Sequence, residues 1–163
     1  MPAPDPTTVH NVGPALVVLA AGLSTRYDRL KQLDPVGPDG QALMDYTIAD
    51  AVEAGARRVV LVVREEIEAE VRAHVLGQLE RQGRTTDVEV VTAMQRLDDL
   101  PGGRTSPRGR TRPWGTAHAL HSARAALADT PAFVLVNADD GYGRDAICRI
   151  VASVRQRRLR WQN

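Results

Sequence analysis

Directly after its first apolar run, Ala15–Leu19, the sequence has a group of residues suited to binding phosphate. The group combines small residues with two hydroxyls and two cations: Ala20, Ala21, Gly22, Ser24, Thr25, Arg26 and Lys31. Small side chains let backbone N–H groups approach an anion, hydroxyls donate hydrogen bonds, and guanidinium and ammonium groups meet phosphate oxygens in different geometries. The pattern predicts a polyphosphate-binding loop, and a glycine turn without a ligand is the alternative.

A second polar cluster follows the apolar run at 132–136 and contains Asp139 and Asp140. A carboxylate delivered by a strand to the edge of a sheet is suited to holding Mg²⁺ against phosphate oxygens. The alternative is that these aspartates cap the next helix or stabilise a turn. Taken together with the Gly22 loop, the cluster favours a metal site with Asp139 as the ligand.

The segment at 113–120, PWGTAHAL, offers further polar groups. Gly115 and Thr116 are expected at a helix start, where free N–H groups and a hydroxyl suit a base, a ribose or an anion. His118 and His121 are three residues apart and could face one side of that helix as a zinc pair. Because further zinc ligands are missing nearby, packing or solvent exposure is the favoured interpretation for both histidines.

Strands and helices alternate along the chain and must position these groups. Apolar runs predict strands at 15–19, 58–63, 88–91 and 132–136. Helical spacing predicts helices at 43–54, 65–82, 115–128 and 145–158. This order predicts a three-layer α/β/α fold with a mainly parallel sheet, whose ligands bind beyond the carboxyl ends of the strands.

The composition restricts the classes of function. With 163 residues, a net charge of +1 and 4% aromatic residues, the chain resembles a single soluble domain and lacks the features of a nucleic-acid binder. One cysteine and no long apolar stretch predict a cytoplasmic protein without a membrane partner. A G-x-G-x-x-G motif is absent, which disfavours a nicotinamide enzyme. We expect a flexible leader at 1–13, a domain at 14–154 and a basic tail at 155–163.

The long segment at 95–114 is predicted to be irregular and contains the arginines Arg104, Arg108, Arg110 and Arg112. A solvated, mobile loop is the usual meaning of such charge. A lid over an anionic substrate and a nucleic-acid patch remain as alternatives.

With these pieces in order, the sequence resembles the nucleotidyltransferase family of sugar-1-phosphate pyrophosphorylases. The family opens with L-[AG]-[AG]-G-x-[GS]-[ST]-R followed by a lysine, which Leu19–Arg26 and Lys31 match. The resemblance continues through Asp45, Gln95, the GTAHA at 115–119 and Asp139, so it covers about residues 15–150.

The resemblance implies a nucleotide-diphospho-sugar transferase fold of Rossmann-like type and a role in sugar nucleotide biosynthesis. The implied enzyme transfers a nucleoside monophosphate from a nucleoside triphosphate to a sugar 1-phosphate or similar acceptor, releases pyrophosphate and uses Mg²⁺. By matching positions, the nucleotide would be held by Leu19, Ala20, Ala21, Gly22, Ser24, Thr25, Gln95, Gly115 and Thr116. Arg26, together with the loop at 20–25, would hold the triphosphate and the departing pyrophosphate, and Lys31 would neutralise charge near the α-phosphate. Asp139 would bind the metal, and Gln95, Gly115 and Thr116 would contact the base.

The resemblance also marks what differs in this chain. GTAHA looks most like the uridylyltransferases, which favours UTP or dTTP, whereas Ser24 and Leu30 replace the usual glycine and proline. Family members continue well past the position of Asp139 with a second metal carboxylate and the acceptor pocket, so a C-terminally truncated chain is expected. A non-catalytic nucleotide-sensing or interaction module is therefore the alternative function, and a homo-oligomer is compatible with either.

Overall fold

The computed structural model describes residues 13–22, 25–26 and 29–160, with side chains for residues 13–22 and 30–156. In chain order its elements are β1 (Ala15–Leu19), β2 (Thr25–Arg26), β3 (Arg29–Leu30), α1 (Leu43–Glu53), β4 (Arg58–Val63), α2 (Glu68–Arg81), β5 (Glu89–Met94), α3 (Thr116–Ser122), β6 (Phe133–Asn137) and α4 (Arg144–Arg160). Short 3-10 turns lie at Lys31–Leu33, Glu65–Ile67 and Pro101–Gly103.

Four of the strands form one parallel sheet in the order β5-β4-β1-β6. The central strand β1 is an unbroken apolar run because both of its faces are covered, so the residues at 15–18, which alternate between the faces, are all buried and Leu19 is partly buried. Leu16 and Val18 pack with α1, α2 and α4 on one face, and Val17 packs with α3 on the other. The predicted α/β/α architecture is confirmed.

The strand register brings three loops to one edge of the sheet. Leu19, the last residue of β1, is paired with Val62 on one side and Asn137 on the other. The chain first winds from β1 through β4 to β5 and then crosses to place β6 on the opposite side of β1. The gap between β1 and β6 is therefore the point where the winding direction reverses, and ligands of open α/β sheets bind at such points.

Two element predictions need correction. The helix expected at 115–128 ends at Ser122, because the following N–H groups bond three residues back, as Arg124 N does to His121 O at 3.1 Å, and continue as turns. The strand expected at 88–91 is β5 at Glu89–Met94, since its pairing with β4 continues to the end of that strand. The β2–β3 hairpin was not predicted.

The expected leader lies almost entirely outside the described residues, and α4 continues through the boundary expected at 154/155. Of the part of the chain that the structure describes, no helix has the length and apolar character needed to cross a membrane.

Candidate functional site

A cleft of about 220 Å³ opens at the carboxyl edge of the sheet, beside the gap between β1 and β6. Seven residues selected from the sequence line it: Leu19, Ala21, Gly22, Gln95, Gly115, Thr116 and Asp139. Pro113, Trp114, Ala119 and Asn137 complete its wall. The structure thus joins residues from four separate stretches of sequence in one cavity, while the role of each remains a prediction.

Ala20 has a different place from the one expected. Its side chain is buried in the core, and its N–H donates to Val62 O at 2.8 Å. Because this N–H group completes the sheet ladder, it is not free to bind an anion. Ala20 packs in the core beneath the loop, while its neighbours Leu19, Ala21 and Gly22 line the cleft.

Gly22 provides space at the floor of the cleft. A Cβ added there would lie 3.2 Å from Gln32 Nε2, and the same nitrogen donates to Gly22 O at 2.9 Å. Gln32 is buried, and its second polar atom, Oε1, has no hydrogen-bond partner among the described residues. Gln32 was not selected as a site residue from the sequence. Its position next to Lys31 was the one feature of the sequence that could have identified it.

Lys31 Nζ donates to Asp139 Oδ2 at 2.7 Å, so the predicted phosphate ligand and the predicted metal ligand meet at the cleft. Both side chains are a little over one third exposed. The hydrogen bond from Lys31 lowers the pKa of Asp139 below its usual value and outweighs the opposing effect of burial. Asp139 is therefore ionised at neutral pH and available to a cation.

Asp140 has a different environment from its neighbour. Its Oδ2 accepts hydrogen bonds from Asn137 Nδ2 at 2.8 Å and from the Tyr142 hydroxyl at 3.3 Å. The same hydroxyl accepts a hydrogen bond from the Asn137 N–H at 2.8 Å. Asp140 thus stabilises its own loop, as the turn interpretation expected, whereas Asp139 points to the cleft and to Lys31.

Gln95 follows β5 and is fixed by hydrogen bonds on several sides. Its N–H donates to Val63 O at 2.8 Å, and its Nε2 donates to Trp114 O at 2.9 Å and lies 3.2 Å from His118 Nδ1. His118 Nε2 lies 2.8 Å from Asp99 O. His118 is thus packed within the protein. Among the described residues, no group of three or more potential metal-binding His, Cys, Asp or Glu side chains occurs.

The arginine-rich segment contributes one wall of the cleft. The Trp114 indole donates to Leu97 O at 3.0 Å, and the Arg110 guanidinium lies 3.6 Å from the centroid of the Trp114 ring. Arg124 donates to both carboxylate oxygens of Asp99 at 2.7 and 2.8 Å, which lowers the pKa of Asp99. Sequence analysis missed Trp114, and its position next to Gly115 was the only local signal.

Several predicted site groups cannot be located in the cleft. Ser24 lies outside the described residues, as do the side chains of Thr25 and Arg26. The backbone of Thr25 and Arg26 forms β2 and pairs with β3. Their predicted contacts with phosphate stay predictions.

Comparison with solved structures gives matches of low sequence identity. The chain is similar to a UDP-glucose pyrophosphorylase complexed with UDP-glucose (TM-score 0.61, 15% identity, 90% of this chain and 55% of that chain). It is also similar to a UDP-glucose pyrophosphorylase from Acinetobacter baumannii (TM-score 0.51, 21% identity, 81% and 49%). The third is a UTP-bound UGPase from Acinetobacter baumannii (TM-score 0.52, 20% identity, 86% and 52%). The chain therefore spans about half the length of these proteins.

These similarities confirm the expected fold. No curated protein matches the chain. The family model described as nucleotidyl transferase matches residues 16–160, which include every residue that lines the cleft. The chain belongs to the nucleotidyl transferase family.

Proposed function

We propose that the chain binds UTP or dTTP in this cleft and transfers the nucleoside monophosphate to a sugar 1-phosphate or similar acceptor. The observation that carries the proposal is the Lys31–Asp139 pair, 2.7 Å apart, at a cleft that Asp139 lines together with Gly22 and Gln95. This cleft lies where the winding direction of the sheet reverses, and it combines a cation, an ionised carboxylate and a glycine without a side chain. Such a combination suits a nucleoside triphosphate. The UTP-bound similar structure agrees with this choice of ligand.

The proposed reaction needs little proton transfer. The acceptor phosphate oxygen is already ionised and attacks the α-phosphorus of the triphosphate. A new phosphorus–oxygen bond forms to the acceptor while the bond to the bridging oxygen breaks, and pyrophosphate leaves with the electron pair. Catalysis then depends on alignment and charge neutralisation. Lys31 supplies positive charge near the α-phosphate, and the loop at Gly22, together with Arg26, holds the departing pyrophosphate.

The charge and the position of Asp139 suit a ligand of Mg²⁺. Its carboxylate is ionised and partly exposed at the cleft, and Mg²⁺ in nucleotide sites is commonly held by one or two carboxylates together with substrate phosphates. Asp139 would hold the ion, which when bound would offset the negative charge of the triphosphate. Lys31 has a flexible stem, so its ammonium can move from Asp139 to a phosphate oxygen.

Calorimetry tests the proposal directly. Binding of UTP, dTTP, CTP and GTP is measured with and without Mg²⁺ for the wild type, Arg26→Ala and Asp139→Ala. We expect UTP and dTTP to bind in a magnesium-dependent manner and both variants to bind more weakly. Unchanged affinity in both variants would overturn the assignment of these residues.

A nucleotide-sensing module without turnover is the second candidate. Asp139 is the only carboxylate among the described residues that line the cleft, and this observation favours binding over a complete metal-dependent site. An assay of pyrophosphate release from UTP with a panel of sugar 1-phosphates separates the two functions. Release above the background of an Asp139→Ala control supports the enzyme, and nucleotide binding without release supports the sensor.

A further inference from the structure

The side-chain amide of Gln95 is held in one orientation by two hydrogen-bond acceptors. One end of the amide lies 2.9 Å from Trp114 O. A backbone carbonyl oxygen only accepts hydrogen bonds, so the atom facing it must be the amide nitrogen, Nε2. The same nitrogen lies 3.2 Å from His118 Nδ1.

The tautomer of His118 follows from its other neighbour. His118 Nε2 lies 2.8 Å from Asp99 O, which is again a carbonyl oxygen, so Nε2 carries the proton. Neutral imidazole then has a bare Nδ1, which accepts the second hydrogen of the Gln95 amide. Arg124 donates hydrogen bonds to both carboxylate oxygens of Asp99. These bonds keep Asp99 in place, and the backbone carbonyl of Asp99 in turn orients His118. Both hydrogens of Gln95 Nε2 are thereby used inside the protein.

We infer that His118 is a positioning residue that keeps the carbonyl oxygen of Gln95, and not its nitrogen, presented to the base of the nucleotide. The inference rests on the proposed function and deepens it to the class of base. Gln95 lines the cleft, and no described residue donates a hydrogen bond to its Oε1.

An acceptor at this position selects among the pyrimidines. Uracil and thymine carry a ring N–H at N3 that donates to Gln95 Oε1, whereas cytosine has an acceptor at N3. A buried polar group that meets a second acceptor is left unpaired, and this loss weakens binding. His118 therefore favours UTP and dTTP over CTP without touching the base.

The test compares the Kd values for UTP and CTP, measured by calorimetry with Mg²⁺, in the wild type and two variants. His118→Phe keeps a ring but removes the acceptor. His118→Asn is the matched variant because its side-chain oxygen can accept from Gln95 in the place of Nδ1. We expect the wild type to bind UTP at least about tenfold more tightly than CTP, H118F to lower that ratio about threefold because Trp114 O alone then orients the amide, and H118N to retain most of the ratio.

The outcomes separate this inference from the proposed function. If the wild type binds neither nucleotide, the proposed function fails and the inference with it. If the wild type binds both nucleotides equally, or H118F keeps the wild-type ratio, nucleotide binding stands and the positioning role is overturned.

A second measurement needs no folded H118F protein. In wild-type protein labelled with ¹⁵N-histidine, with the His118 signals assigned by their loss in H118N, we expect the neutral ring to carry its proton on Nε2. A proton on Nδ1 would overturn the inference, since that nitrogen could then not accept from Gln95.

Discussion

Lys31 and Asp139 are 108 residues apart in sequence, and their side chains form a hydrogen-bonded ion pair of 2.7 Å at the cleft. The pair connects the 3-10 turn after β3 with the loop after β6. Because each side chain is more than one third exposed, the pair is expected to add little to the free energy of unfolding. Its importance lies in placing opposite charges where the proposed triphosphate and cation bind.

Substitution of Asp139 should remove the effect of magnesium on nucleotide binding. For Asp139→Asn we expect the gain in UTP affinity on addition of Mg²⁺ to fall about tenfold, because a neutral amide is a poorer ligand for a hard cation. Calorimetry at matched ionic strength measures the gain. Asp140→Asn is the matched control, since Asp140 bonds within its own loop and should keep the wild-type gain. Equal gains in wild type and D139N would contradict the metal assignment.

The lowered pKa of Asp139 predicts how magnesium-dependent binding varies with pH. The hydrogen bond from Lys31 lowers this pKa, so the carboxylate stays ionised as the pH falls and is protonated only below the usual carboxyl range of about 4. Apart from the effect of protonating the terminal phosphate of UTP, whose pKa is about 6, the magnesium-dependent gain in UTP affinity should therefore be constant between about pH 6 and pH 8. Titrations at several pH values, compared with Mg²⁺ binding by free UTP at the same pH values, test this expectation. A loss of the gain between pH 8 and pH 6 that exceeds the loss for free UTP would show that a different group binds the ion.

Gln32 is expected to affect nucleotide binding more than folding. Gln32→Leu keeps most of the side-chain volume, loses the hydrogen bond to Gly22 O and also removes the unpartnered Oε1. Since these effects oppose each other, the free energy of unfolding should change by less than about 1 kcal/mol. UTP affinity should fall about fivefold, because the floor of the cleft is no longer held. Urea denaturation and calorimetry measure the two quantities, and unchanged UTP affinity would contradict this role.

The buried Asp45 should be important for stability. Its Oδ2 accepts hydrogen bonds from the Ala42 N–H and from His74 Nε2, each at 2.7 Å, and links α1 to α2. Asp45→Ala should lower the free energy of unfolding by about 2 kcal/mol or more, because a helix cap and a buried hydrogen bond are lost together. Glu53→Ala is the control on the same helix, where exposed pairs with Arg144 and Arg84 are removed and a change below about 0.5 kcal/mol is expected. Urea denaturation that gives equal losses for both variants would disprove this prediction.

Trp114 offers an optical signal for ligand binding. The chain has 2 tryptophans, and Trp114 is the one that lines the cleft in the described residues. In Trp161→Phe, UTP should therefore change the remaining fluorescence with the Kd found by calorimetry. The double variant Trp114→Phe/Trp161→Phe, which has no tryptophan, is the control and should give no saturable change in tryptophan fluorescence. No change in Trp161→Phe at UTP concentrations that saturate the calorimetric titration would place the ligand away from Trp114.

Local patterns predicted the parts of the fold that depend on local sequence. The apolar runs of β1 and β4 were located to the residue, because buried parallel strands need continuous apolar residues. The end of β5 and the early end of α3 were missed, since each is decided by contacts with other elements. Thr92 sits in β5 although it is polar, because its hydroxyl donates to Glu68 on α2.

The site divides in the same way. Gly22, Lys31 and Asp139 were selected because their residue types are typical of phosphate-binding and metal-binding sites. The parallel register of β1 and β6 explains why they lie close together in the structure. The sequence analysis did not select Asn137, Trp114 and Gln32 as site residues. An amide or an indole side chain indicates a site only when its neighbours in space are known. The place of Ala20 likewise depends on Val62, a residue of another strand.

The pairing of Leu19 with Asn137 joins two segments that are separated by more than a hundred residues. Because such distant pairings require the chain to close a long loop, we expect the cavity to be completed late in folding. A partly folded intermediate that lacks this docking step would hold the glycine turn without the opposing aspartate. The stoichiometry of the proposed UTP binding would therefore report the fraction of a preparation in which β6 has paired with β1.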